Sequence, residues 1–108
     1  MSKKSIPEEI KKEADKIVAD FNRKRLKDPN YYYVTRYQGA HLYLDRYDYG
    51  GISQICRLTY TGDMNDWDFA IFKYSDMRYD PDEWMFPGSG HVDGTIEGAM
   101  KAGIEAYP

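Results

Sequence analysis

Apolar positions recur along this chain with two periods, first helical and then alternating. Ile10, Ala14, Ile17 and Phe21 follow one another at spacings of four, three and four, with Val18 alongside, which predicts an amphipathic helix. Ser5 and Glu8 flank Pro7 as a capping box at its start. Acids crowd the first turn (Glu8, Glu9, Glu13) and cations the last (Arg23, Lys24, Arg25, Lys27), as the helix dipole favours. The Asp28–Asn30 turn, with Pro29 at its centre, ends a helix predicted over 5–27.

Four strand-like runs follow. Residues 31–38 are rich in β-formers and close at Gly39. In 41–49, Leu42 and Leu44 alternate with Tyr43, Asp45 and Tyr47, which predicts one buried and one open face. Gly50 and Gly51 mark a tight hairpin, since glycine reaches positive φ without steric cost. Residues 52–61 then place Cys56, Leu58 and Tyr60 opposite Ile55 and Arg57. In 67–74 apolar residues occupy both faces, the pattern of an inner strand or of one covered by a loop. Short connections make an antiparallel meander over 31–74 the natural pairing.

Residues 75–92 are too rich in Asp, Gly and Pro for a regular element, yet they carry Trp84, Met85 and Phe86, which need cover. A last helix is predicted over 93–106, with Asp93 placed to cap it and Ile96, Met100 and Ile104 as its apolar ridge. Its small residues (Gly98, Ala99, Ala102, Gly103) call for close approach by another surface, and the neighbouring Trp84 and Phe86 rings are the expected one. The fold class expected is α+β: one domain over 1–108, α-β-β-β-β-α, a four-stranded antiparallel meander with both helices packed on one face. The alternative pairs residues 75–92 as an additional edge strand.

Composition sharpens this picture in one respect. The chain has 108 residues, of which 16% are aromatic, and 11 of those rings are tyrosines. Much of the apolar bulk therefore carries a polar tip and some of it must surface. No apolar run approaches the roughly 20 residues of a membrane span, and Met1–Lys4 leads into acidic residues with no apolar leader. A single cysteine, Cys56, excludes an intrachain disulfide, so a reducing cytoplasm is the expected compartment. Charge is uneven: residues 1–46 carry a net +4 and residues 47–108 a net −7.

Three surfaces could carry function. A tyrosine-rich sheet face (Tyr43, Tyr47, Tyr49), together with Trp84 and Phe86 of the loop, has the composition of a protein-binding surface, whether for a partner or for a second copy. A basic-aromatic segment (Arg23, Lys24, Arg25, Lys27, Tyr31, Tyr33, Arg36, Tyr37) supplies the cations and rings that single-stranded nucleic acid requires. An acidic loop with Asp80, Asp82 and His91 offers weak ligands for a hard cation, although it lacks the spacing of a calcium loop. His41, His91 and Cys56 are too scattered to mark a catalytic centre, and no phosphate loop, nucleophile elbow or metalloprotease motif occurs. The first reading, a small non-catalytic binding module without a cofactor, is the expectation; nucleic-acid binding and a small enzyme or metal protein are the alternatives.

Overall fold

Five antiparallel strands run in sequence order across one sheet: β1 (Tyr31–Gln38), β2 (His41–Asp48), β3 (Gly51–Thr59), β4 (Asp68–Lys73) and β5 (Arg78–Asp80). Helices α1 (Glu8–Phe21) and α2 (Ile96–Ala106) flank the sheet in sequence. This computed structural model describes residues 5–108. The Met1–Lys4 segment, with its expected lack of an apolar leader, lies outside the described residues. Among the described residues no helix is long and apolar enough to cross a membrane.

Both helices pack on one face of the sheet, as the alternation implies. From β1, Thr35 hydrogen-bonds Asp15 of α1 and Tyr33 donates to the Met100 carbonyl of α2. Leu42, Leu44, Cys56, Leu58, Phe69 and Ile71 turn to the same side and join Val18, Phe21, Ile96 and Met100 in the core. The second helical stripe is the one the sequence predicts, except that Ile104 is only partly buried.

The fifth strand corrects the four-strand expectation. Arg78, Tyr79 and Asp80 pair with Lys73, Phe72 and Ile71, so β4 has a neighbour on each side. That explains its two apolar faces. Three residues set among Asp, Gly and Pro are too few to show a period of two.

Helix ends differ as well. Ile6 is buried and its N–H donates to the Gly39 carbonyl, so Pro7 takes the N-cap position of α1 without a side-chain cap, and the Ser5/Glu8 box does not form. The predicted helix over 5–27 is α-helical to Phe21 and then widens into a π-helical turn, Asn22–Leu26, closed by Lys27 in the left-handed region. At α2 the capping side chain is Thr95, which accepts from the Gly98 N–H at 3.0 Å. Asp93 instead accepts from the backbone and hydroxyl of Thr95, holding that cap in place.

Two details of register matter for the surface. The β2–β3 turn uses Tyr49 and Gly50, at φ 50° and 102°, one residue earlier than the paired glycines imply. Left-handed Tyr49 is held by its N–H on the Asn30 carbonyl and its hydroxyl on Asp28 at 2.5 Å. A bulge opposite Leu44 and Asp45 inserts Ile55, so this residue is wholly buried and lies against Gly103 of α2 rather than sharing a face with Arg57.

The small residues of α2 are indeed closely approached, but not by the loop rings. A Cβ on Gly98 would meet the Asp93 carboxyl and the His91 carbonyl, and one on Gly103 would meet Tyr33 and Ile55. Phe86 and Trp84 pack on Phe69 instead, with ring centroids 6.0 and 6.2 Å away. The loop touches α2 through Gly88, whose φ of 93° seats it on the Ala102 backbone.

Candidate functional site: the sheet face turned away from the helices

Alternation sends one set of side chains away from both helices. Register aligns Arg36, Tyr43, Arg57 and Ala70 in a row across four strands, and Tyr32 beside Tyr47 beside Ile52 in another. Among the described residues no helix covers this face, yet Tyr43, Ala70 and Phe72 are buried there. Side chains of the sheet cover one another. Tyr79 of β5 lies 5.3 Å from Tyr43 and 4.9 Å from Phe72, and its hydroxyl is 3.5 Å from Arg36 of β1. Five strands at ordinary spacing separate β1 from β5 by about 19 Å. Arg36 and Tyr79 can meet only by lying along the sheet, not standing off it.

A polar frame fixes this layer. Arg36 grips Asp45 through Nε at 3.1 Å and Nη2 at 3.4 Å and stacks 4.2 Å over the Tyr43 ring. The Tyr79 hydroxyl accepts from Arg36 and, at 3.2 Å, from Gln54. The hydrogen bond from Arg36 to Asp45 raises the guanidinium pKa above its ordinary value and outweighs burial, which pulls the other way. Arg57 lies 5.4 Å over the Tyr79 ring with its Nε buried and unbonded.

The expected tyrosine surface is therefore divided. Tyr43 is 9% exposed and belongs to the covering layer. Tyr47 stacks on Tyr32 at 5.1 Å and stays partly open, next to Ile52, which is 60% exposed. Tyr49, 67% exposed, sits on the turn at the same end of the sheet. Trp84 and Phe86 reach Phe69 on the helix side, so the loop and the tyrosine face do not form one surface.

The basic-aromatic segment is dispersed in the same way. Tyr33 is 2% exposed and cannot stack on a base. Tyr37 points to α1, its hydroxyl on Asp15 at 2.7 Å, and Tyr31 lies beneath Arg46. Arg36 faces the opposite side of the sheet and is paired. Arg23 pairs with Asp20, and Arg25 lies over the Phe21 ring. Lys24 and Arg25 edge a groove of about 490 Å³ between α1 and α2, whose other walls carry Asp20, Asp93 and Glu97. Lys27 closes the π turn.

The acidic loop already holds a cation of its own. Lys73 Nζ lies 3.1 Å from Glu83 and 3.8 Å from both Asp76 and Asp80, and Arg78 adds a contact to Asp80 at 3.4 Å. Asp80 also accepts from the Asp82 N–H. His91 is elsewhere, paired with Glu105 of α2 at 2.5 Å. No group of three metal-type ligands occurs among the described residues. Cys56 is wholly buried, and desolvation drives its thiol far above the ordinary range, so it is inert in the folded chain. His41 sits at the rim of the open face, its Nδ1 3.0 Å from the Thr59 hydroxyl.

Sequence reasoning missed Tyr79 and Gln54 as members of this face, and it missed Arg46. Arg46 faces the helices, is 2% exposed and donates to the Tyr107 carbonyl at the end of α2. Its place in an even-numbered row with Leu42 and Leu44 is the signal that it turns inward. No known protein family, curated protein or solved structure matches this chain.

Proposed function

We propose that this domain is a binding module that takes a protein partner on the sheet face turned away from its helices. One observation carries the reading. Tyr32, Tyr47 and Ile52 form a cross-strand apolar row, open to solvent at Ile52, that continues into the fixed layer of Tyr43, Arg36 and Tyr79. Rings held flat by stacking and hydrogen bonds offer large contact area with little entropy left to lose on binding. An aliphatic side chain exposed beside them extends that area without a polar group to desolvate.

The two strand edges fit this use of the face. β5 is only three residues long, and on β1 the Asn22 side chain occupies the backbone groups of Tyr33, so edge pairing with another strand is blunted. Nucleic acid is the weaker reading, because Tyr33 is buried, Tyr31 and Tyr37 are only partly open on the helix side, and the chain carries a net −3.

The experiment replaces the open part of the row. Tyr47→Ala with Ile52→Asp leaves the fold intact and abolishes capture of the partner by the tagged domain in its native host. Unfolding of this double variant would mean the row is core cover, and unchanged capture would place the partner on another surface.

A further inference from the structure

We propose that the centre of this face is an oxyanion subsite, built from Arg57, Arg36 and the Tyr79 hydroxyl, that receives a carboxylate side chain of the bound protein segment. The inference rests on the protein-binding reading above and names the chemistry of the partner.

Donor accounting carries it. The Tyr79 oxygen accepts two hydrogen bonds, from Arg36 and Gln54, so both lone pairs are engaged and its own proton remains to be donated outward. Arg36 spends Nε and Nη2 on Asp45 and Tyr79, leaving Nη1 with no partner among the described residues. Arg57 has no carboxylate within ion-pair distance among the described residues, and its Nε is out of contact with solvent and unbonded. Arg57 and Arg36 flank Tyr43 in one cross-strand row, and both guanidinium groups touch Tyr79. A surplus of donors, with one positive charge beyond what Asp45 neutralises, therefore converges over the Tyr43 and Tyr79 rings. The shielded Arg57 Nε is one desolvated donor without an acceptor, while the Arg57 Nη groups, Arg36 Nη1 and the Tyr79 proton remain open to an incoming oxyanion, which would meet them together.

The charge count selects a carboxylate. One uncompensated guanidinium matches one monoanion. A nucleic-acid strand would bring a row of phosphates past Asp45 and the exposed Asp68 on the same face, without further free cations among the described residues to meet them. The rings around the subsite and the exposed Ile52 suit an extended segment in which acidic and apolar side chains alternate.

The test uses the full chain, labelled with nitrogen-15, and three probes: a capped peptide of alternating glutamate and valine, its glutamine counterpart, and a thymidine oligonucleotide. At millimolar concentration the glutamate peptide shifts the Arg57 Nε–H resonance and the amides of β2 and β3, and added salt reverses the shift. The glutamine peptide shifts them at least tenfold less. Arg57→Gln abolishes the response, and Arg57→Lys, a second variant that keeps the charge, retains part of it. Equal shifts from the two peptides overturn the subsite while leaving the apolar row as the docking surface. Shifts confined to the helix side, no shift with the glutamate peptide, or a response to the oligonucleotide in its place overturn the proposal. Failure of the Tyr47/Ile52 experiment with these shifts intact would count against the wider docking reading alone.

Discussion

The side-chain amide of Asn22 hydrogen-bonds both backbone groups of Tyr33: Nδ2 donates to the carbonyl at 2.9 Å, and Oδ1 accepts the N–H at 2.8 Å. Asn22 thereby stands where a sixth strand would otherwise begin, and the π-helical turn that starts at Asn22 carries the chain from α1 toward β1. Asn22→Ala leaves two partly buried backbone groups without partners. It should destabilise the fold by about 1–3 kcal/mol and favour edge-to-edge association. Urea unfolding and size-exclusion chromatography check this. A variant with the parent's stability and elution volume would show that water replaces Asn22 freely.

Gly98 and Gly103 are fixed by what faces them. Leucine is the better helix former, yet Gly98→Leu should lower stability by roughly 1–3 kcal/mol, because the His91 carbonyl is backbone and cannot swing away. Gly103→Ala should also destabilise, against the Tyr33 ring and Ile55. A higher melting temperature for either variant would refute the close packing of α2.

Arg46 is a buried cation held by one carbonyl and the Tyr31 ring, 4.7 Å away, with Nε and Nη1 unbonded. Methionine fills similar volume without a charge to desolvate, so Arg46→Met should be at least as stable as the parent. Arg46→Ala leaves a cavity and should lose about 2–5 kcal/mol. Thermal unfolding of the pair decides the matter, and a methionine variant as damaged as the alanine one would show that the guanidinium itself holds the end of α2.

Alkali should destabilise this domain through its buried thiol and phenols. Burial raises the Cys56 thiol and the Tyr33 phenol far above their ordinary values of 9.0 and 10.0, and burial with the Asp15 hydrogen bond raises Tyr37. Each group stays protonated in the folded chain after it would ionise in the unfolded one. The contribution of these three groups is therefore complete well below pH 9.0 and falls as pH rises through the unfolded values toward the folded ones. Denaturant midpoints against pH should decline from that point, and a profile flat through the whole tyrosine titration would contradict the burial of these groups.

How much of this was legible in the sequence follows from where the signals are local. The Leu42–Leu44 alternation and the Ile10–Phe21 stripe are periodic over several residues, and they set the sheet, its buried face and α1. The β2–β3 turn moved by one residue because Tyr49 accepts a left-handed backbone only with help from Asp28 and Asn30, both remote in sequence. β5 is too short to show a period, and the bulge at Ile55 breaks the one that 52–61 displays. The tyrosine-rich face was foreseeable from Tyr43 and Tyr47. Its centre was not, since Tyr79 joins Arg36 across the whole sheet and only the strand order brings them together.

The central claim, that a protein partner docks on the open sheet face, is tested most directly by photo-crosslinking from two positions. Benzoylphenylalanine replaces Tyr47 on that face in one form and exposed Lys12 of α1 in the other, each irradiated in the native host. The account predicts a discrete protein adduct, with another chain or a second copy, from position 47, competed by excess unmodified domain, and none from position 12. An adduct from position 12 alone, a nucleic-acid adduct, or no competable adduct from position 47 would contradict it.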